Sequence, residues 1–252
     1  MKKFFITLML LTCFALPDYA KQVLPEEIVN NTISITALKT GELGKNYFYC
    51  TNGDKCSTEK FVIEYYRNSG YKVMRAEHSF WNGIFILSFL DELYSPEIYK
   101  PYGLSGMYYD IKNAHPEDYE IRRKYKLIKK TNLSSFINQQ IKKHENGGYI
   151  RDLDEWEFEG YKNPTEYFKS PIVQEFFKKI DNKTFSKVLS HILGMRGYNP
   201  LGTPDYIVWN DKEMIFVEVK RKNEKLSPEQ IEWGEFLVKN KIPYKVVRVV
   251  GQ

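Results

Sequence analysis

Residues 202–220 read Gly-Thr-Pro-Asp-Tyr-Ile-Val-Trp-Asn-Asp-Lys-Glu-Met-Ile-Phe-Val-Glu-Val-Lys. Two β-prone runs flank a polar turn, and an antiparallel hairpin is the fold that such a pattern selects. Facing residues of a symmetric hairpin are equidistant from its centre. Centring the turn between Asp211 and Lys212 therefore sets Asp205 opposite Glu218. Side chains alternate along a strand, so Glu218 and Lys220 share one face while Val217 and Val219 point to the core. Two carboxylates and one ammonium thus converge at one end of a sheet. Opposed carboxylates repel, and a cation between them removes the penalty. Phosphodiester hydrolysis needs such a set. A divalent cation offsets charge on the phosphate and acidifies a water, while a neighbouring lysine stabilises the transition state. A Glu-Val-Lys tripeptide alone is usually an ordinary charge pair on a strand. Its conjunction with Pro204-Asp205 and the facing register singles this one out.

The residues after the hairpin read as helix then strand. Ser227 is a good N-cap, Pro228 suits the first helical position, and Gln230 completes a capping box. Trp233, Phe236 and Leu237 give that helix an apolar face, and Tyr244 to Val250 form a closing strand. Upstream, a helix begins at Ser57 and stops near Gly70, followed by an extended stretch from Tyr71 to Met74. Ser79 to Tyr94 follows, with Ile84, Leu87, Leu90 and Leu93 at helical spacing on one face. Further helices are expected over Tyr119–Lys129, Leu133–Glu145, Ile172–Ile180 and Thr184–Leu193. Residues 21–56 read as an irregular leader. Arg196, Arg221, Lys222 and Lys225 surround the carboxylates in sequence and suit phosphate contacts, with a solvated basic edge as the competing view. Tyr198 and Trp209 have the chemistry to stack on bases, although core packing suits Trp209 better.

Taken together, Gly202-x-Pro204-Asp205, Glu218-x-Lys220, Leu226-Ser227-x-x-Gln230-x-x-Trp233 and the closing strand resemble the VRR-NUC branch of the PD-(D/E)XK nuclease superfamily. Gly70, Tyr71, Glu77 and the helix ending in Phe89-Leu90-Asp91-Glu92-Leu93-Tyr94 are similar to the segment preceding the nuclease core of Fanconi-associated nucleases. The resemblance implies an α/β fold, a restriction-endonuclease-like mixed sheet flanked by helices, carrying a helical insertion at about residues 95–170. It implies a Mg²⁺- or Mn²⁺-dependent deoxyribonuclease acting on flaps, ends or junctions. Asp205, Glu218, Lys220, Glu77 and Gln230 are then the catalytic set, and Glu77, Asp205, Glu218 and Val219 the metal set. Read locally, Glu77 is a helix-start carboxylate favoured by the macrodipole, and Gln230 is a cap.

Apolar content of 42% in 252 residues suits one folded domain and excludes a disordered chain. The formal charge of +5 is compatible with a polyanionic partner without requiring one; the resemblance implies DNA first and RNA second. Lys2 and Lys3 precede the apolar run Phe4 to Leu16, and Ala20 ends the segment. That order describes a signal peptide over residues 1–20, too short to anchor stably in a membrane. Export, secreted or periplasmic, is the expectation, with a cytoplasmic protein as the alternative. Cys50 and Cys56 are then the remaining cysteines, either closed as a disulfide or left as two thiols. The rival functions are a catalytically silent nucleic-acid-binding module and a secreted DNase toxin.

Overall fold

A computed structural model of the chain describes residues 24–39, 47–50, 53–93, 126, 128, 130, 132–144, 164–195 and 200–251. In chain order the first elements are α1 (Glu26–Asn30), β1 (Thr32–Ala37), β2 (Phe48–Tyr49), β3 (Lys55–Cys56), α2 (Thr58–Asn68), β4 (Lys72–Arg75) and α3 (His78–Leu93). They continue as α4 (Leu133–His144), α5 (Pro164–Lys169), α6 (Pro171–Lys179) and α7 (Asn182–Gly194). The last are β5 (Tyr206–Trp209), β6 (Met214–Arg221), α8 (Pro228–Lys239) and β7 (Tyr244–Gly251).

The hairpin takes the expected register, with Tyr206 opposite Val217 and Trp209 opposite Met214. Its turn is fixed by Asn210, whose side-chain oxygen accepts the Lys212 and Glu213 N–H groups at 2.8 and 3.1 Å. These strands sit inside a five-stranded mixed sheet of order β1-β7-β6-β5-β4. β7 runs parallel to β6 and to β1, while β5 pairs antiparallel with β6 and β4. The mixed sheet flanked by helices is the architecture that the family resemblance implied.

Where it is described, the stretch expected to be an irregular leader forms a helix and strands. β1 forms an edge of the sheet, pairing with β7 from Thr32 opposite Val246 to Ala37 opposite Gly251. Before it, α1 buries Ile28 against α8, where the Ile28 methyl closes on Gly234. Thr-Ile-Ser-Ile-Thr-Ala carries the β-branched alternation of a strand, but its partner lies more than two hundred residues away. A parallel pairing leaves no hairpin turn to announce it. The Cys50–Cys56 disulfide is formed and closes the short β2–β3 ribbon.

Helices cover both faces of the sheet. On one, Val208, Val217, Val219, Val247 and Val249 pack with Val62 and Tyr66 of α2. On the other, Ile207, Trp209, Phe216 and Val246 meet α3, α6, α7 and α8. Val217 and Val219 point into the first of these cores, as expected. Glu218 and Lys220 do share a face, but they too are buried, at 1% and 6% exposure. Trp209 is a core residue, and its indole N–H donates to Glu175 at 3.2 Å.

Instead of the single apolar stripe expected for α3, Phe80, Trp81, Ile84, Phe85, Leu87 and Phe89 are all buried, as befits an almost wholly apolar central helix. Trp81 stacks on Phe216, and the helix kinks at Phe89. Helices α4, α6 and α7 fall within two residues of their expected bounds. α5, inside the insertion, was not expected, and most of Tyr119–Lys129 lies outside the described residues. Among those described, no helix is long and apolar enough to cross a membrane.

Candidate active site

Four segments meet at the end of β6. The Gly202–Asp205 loop arrives first. Gly202 adopts φ +79°, and a Cβ there would lie 2.5–2.7 Å from Glu229 and the Gln230 nitrogen. Glycine thus lets the loop lie directly on the start of α8, for two independent reasons. The Trp233 indole N–H ties the same loop down by donating to the Leu201 carbonyl at 2.9 Å. Asp205 then links both neighbouring strands: its carbonyl accepts Ala76 N–H at 2.8 Å, and its Oδ2 accepts Val219 N–H at 2.6 Å.

Glu218 is the centre of the cluster. Its Oε1 pairs with the Lys220 ammonium at 2.8 Å and accepts the Gln230 side-chain N–H at 2.6 Å. Among the described residues, its Oε2 is buried without any hydrogen-bond partner. Such an atom is costly unless something outside the protein completes it. Gln230 does two jobs with one amide. Its Oε1 accepts Ser227 N–H at 2.9 Å, completing the capping box with the Ser227 hydroxyl, while its Nε2 holds Glu218. The cap read from the local sequence is formed, and the same side chain touches Glu218.

The electrostatics follow from this burial. Desolvation, then the nearby Asp205, push the Glu218 carboxyl up to about 8 despite the Lys220 contact. Desolvation likewise raises Asp205 to about 6, against the Val219 N–H and Lys220, with Glu77 and Glu59 adding to the rise. For Lys220, burial alone favours the neutral amine, but Glu218, Glu224 and Asp205 together hold the ammonium above its ordinary value. One buried cation faces more acid than it can neutralise. An additional positive charge is what this donor set lacks.

The remaining expected residues separate. Glu77 stands just before α3 and adds to the field at Asp205, but its carboxylate pairs with Arg75 at 2.8 Å. Tyr167 of α5 steadies that segment by donating to the Arg75 carbonyl at 2.9 Å. Val219 has its backbone carbonyl to offer as a ligand, and its N–H holds Asp205 in place. Among the described residues, no three His, Cys, Asp or Glu side chains already form a metal cage. Arg221, Lys222 and Lys225 are exposed beside the site, whereas Arg196 and Tyr198 lie outside the described residues. Two acids were not singled out by sequence. Glu224 reaches Lys220 at 3.5 Å, a placement created by the turn after β6, and Glu59 at the start of α2 acts on Asp205 through its field. Only the capped start of α2, Ser57 with Glu59 in the first turn, hinted at the second.

A family model described as the VRR-NUC domain matches residues 144–251, which include Asp205, Glu218, Lys220 and Gln230. A Fanconi-associated nuclease 1 homolog of Arabidopsis thaliana is 24% identical over 219 residues, covering 81% of this chain and 23% of that protein. Among solved structures, paFAN1 bound to 5′-flap DNA with a gap is similar in two forms. The form with a 2-nt flap gives a TM-score of 0.54 at 18% identity, and that with a 1-nt flap gives 0.53 at 16%. Each covers 94% of this chain and 40% of the solved chain. This chain thus spans less than half the length of these relatives. The likeness to paFAN1 extends the shared fold across nearly all of it, and within that fold residues 144–251 are similar to the VRR-NUC domain.

Proposed function

We propose that this chain is a divalent-cation-dependent nuclease that hydrolyses DNA phosphodiester bonds, with structured ends or 5′ flaps as the preferred substrates. The observation that carries the proposal is the buried, unpartnered Oε2 of Glu218, set beside Asp205 and Lys220. The VRR-NUC match and the nuclease relatives support the chemistry, and the DNA held by the solved relatives supports the substrate class. A cation such as Mg²⁺ or Mn²⁺ would be held by Asp205 and Glu218, with the Val219 carbonyl and Glu77 alongside; it would supply charge against the phosphate and acidify water.

The chain's own groups do the rest. Gln230 fixes the Glu218 carboxylate by its hydrogen bond, so little reorganisation is needed on binding. Lys220 is kept charged by its acidic neighbours and stabilises negative charge growing on the phosphate. Burial of Glu218 and Lys220 lowers the local dielectric and strengthens both effects. Exposed Arg221, Lys222 and Lys225 contact flanking phosphates, positioning the strand without reading its sequence.

Labelled linear, single-stranded, flapped and branched DNAs, incubated with purified protein, test this reading. Cleavage is expected with Mg²⁺ or Mn²⁺, fastest on a flapped or end-bearing substrate, and none in EDTA. Undiminished cutting in EDTA would remove the cation from the mechanism. The basic, then apolar, N-terminus and the Cys50–Cys56 disulfide support a site of action outside the cytoplasm. An exported nuclease would process extracellular, periplasmic or target-cell DNA.

A further inference from the structure

The turn that follows Lys220 is held from the neighbouring strand. Arg248 of β7 is the ladder partner of Lys220 on β6. Its guanidinium crosses to the turn, where Nη1 donates to the Glu224 carbonyl at 2.7 Å and the Arg221 carbonyl at 3.2 Å. The Lys222 carbonyl lies at the edge of bonding range, 3.5 Å away. Within the turn, Glu224 N–H donates to the Arg221 carbonyl at 3.1 Å, and Glu224 Oε2 accepts Arg221 N–H at 3.2 Å. The other oxygen of that carboxylate faces Lys220 Nζ at 3.5 Å. Residues 221–225 are all exposed, so packing does little to hold the turn in place. All three contacts come from one guanidinium nitrogen, so the turn uses the reach of the side chain; a lysine ammonium ends one bond nearer its backbone.

We propose that Arg248 is a positioning residue for the reaction assigned above. By clamping the carbonyls of the 221–224 turn, it keeps the Glu224 carboxylate against Lys220, so that the ammonium stays aimed at Glu218. The kinetic consequence rests on the nuclease reading; the clamp itself does not. A different role would place the guanidinium on a substrate phosphate, where its charge alone would matter.

Arg248→Lys separates the two, because it keeps the charge but ends one bond short of the position that Nη1 occupies. The clamp predicts a kcat about tenfold lower on a cleavable DNA with KM unchanged, since misplacement far from the chemistry falls on the reacting geometry. In metal-free protein, backbone amides of residues 221–226 should exchange with solvent about tenfold faster, while β7 amides keep their protection and report an intact fold. Glu224→Ala should lower kcat similarly, and the double variant should fall no further than either single one. Arg248→Met, which has no donor, should show the same faster exchange. Wild-type exchange in both Arg248 variants would overturn the clamp. So would a loss confined to KM, with the log–log salt slope reduced by about one, the mark of a phosphate contact. Should the wild type cut no DNA, the nuclease reading falls and the exchange data alone decide the clamp.

Discussion

Asp205→Asn should lower DNA cleavage by on the order of 10³-fold while leaving the protein at least as stable as the wild type. The asymmetry comes from what the two oxygens do. Oδ2 accepts Val219 N–H, a role that an amide oxygen fills equally well. The charge, by contrast, is a burden to the fold, because burial and the neighbouring acids push this carboxyl up to about 6. Removing it costs the fold nothing and takes away an anionic ligand. Lys220→Ala should also stop cutting, but it is a poorer experiment. It strips the ion-pair partner from Glu218, and an unpaired buried charge costs about 3–5 kcal/mol unless the carboxyl takes up a proton. Cleavage rates beside thermal melting curves check both variants. Wild-type cutting by Asp205→Asn would place the chemistry elsewhere.

Glu218→Gln should stabilise the metal-free protein at pH 8 and make little difference at pH 4.5. The wild-type carboxyl is raised from its ordinary range to about 8 in the fold, by desolvation first and Asp205 second. A raised carboxyl means that the folded state binds its proton more tightly than the unfolded chain does. Its contribution is therefore intact below about pH 4.5 and is lost as pH climbs towards 8. At about 1.4 kcal/mol for each unit, the penalty at pH 8 is several kcal/mol. A glutamine keeps the oxygen that Lys220 and Gln230 bind, and it never ionises. Urea unfolding at the two pH values measures the crossover. A saturating divalent cation should then stabilise the wild type alone and close the gap. A stability difference equal at both pH values would mean that ionisation of Glu218 is not what the fold resists.

The parts of this site legible in sequence were those governed by local rules. Alternation plus the Asn-Asp-Lys turn gave the hairpin register correctly, since register there is set by the turn itself. Ser227, Pro228 and Gln230 gave the start of α8 for the same reason. What escaped depends on contacts between distant segments. β1 reads as a leader because its parallel partner is at the other end of the chain. The burial of Glu218 and Lys220 is invisible in a period of two, which separates the faces of a strand without saying that both are covered. Glu224 lies four residues after Lys220, a spacing that means contact on a helix; here a turn clamped by Arg248 makes the contact instead.

The account depends on Asp205 and Glu218 taking up one divalent cation between them. Titration of the purified protein with Mn²⁺ at pH 8, followed by calorimetry in buffers of different ionisation enthalpy, reports affinity and proton release together. The expected result is saturable binding with net release of protons, as the Glu218 carboxyl, still partly protonated at that pH, ionises to become a ligand. Asp205→Asn and Glu218→Gln should each weaken it at least about tenfold, as loss of a ligand does. Wild-type Mn²⁺ affinity in both variants would contradict the account.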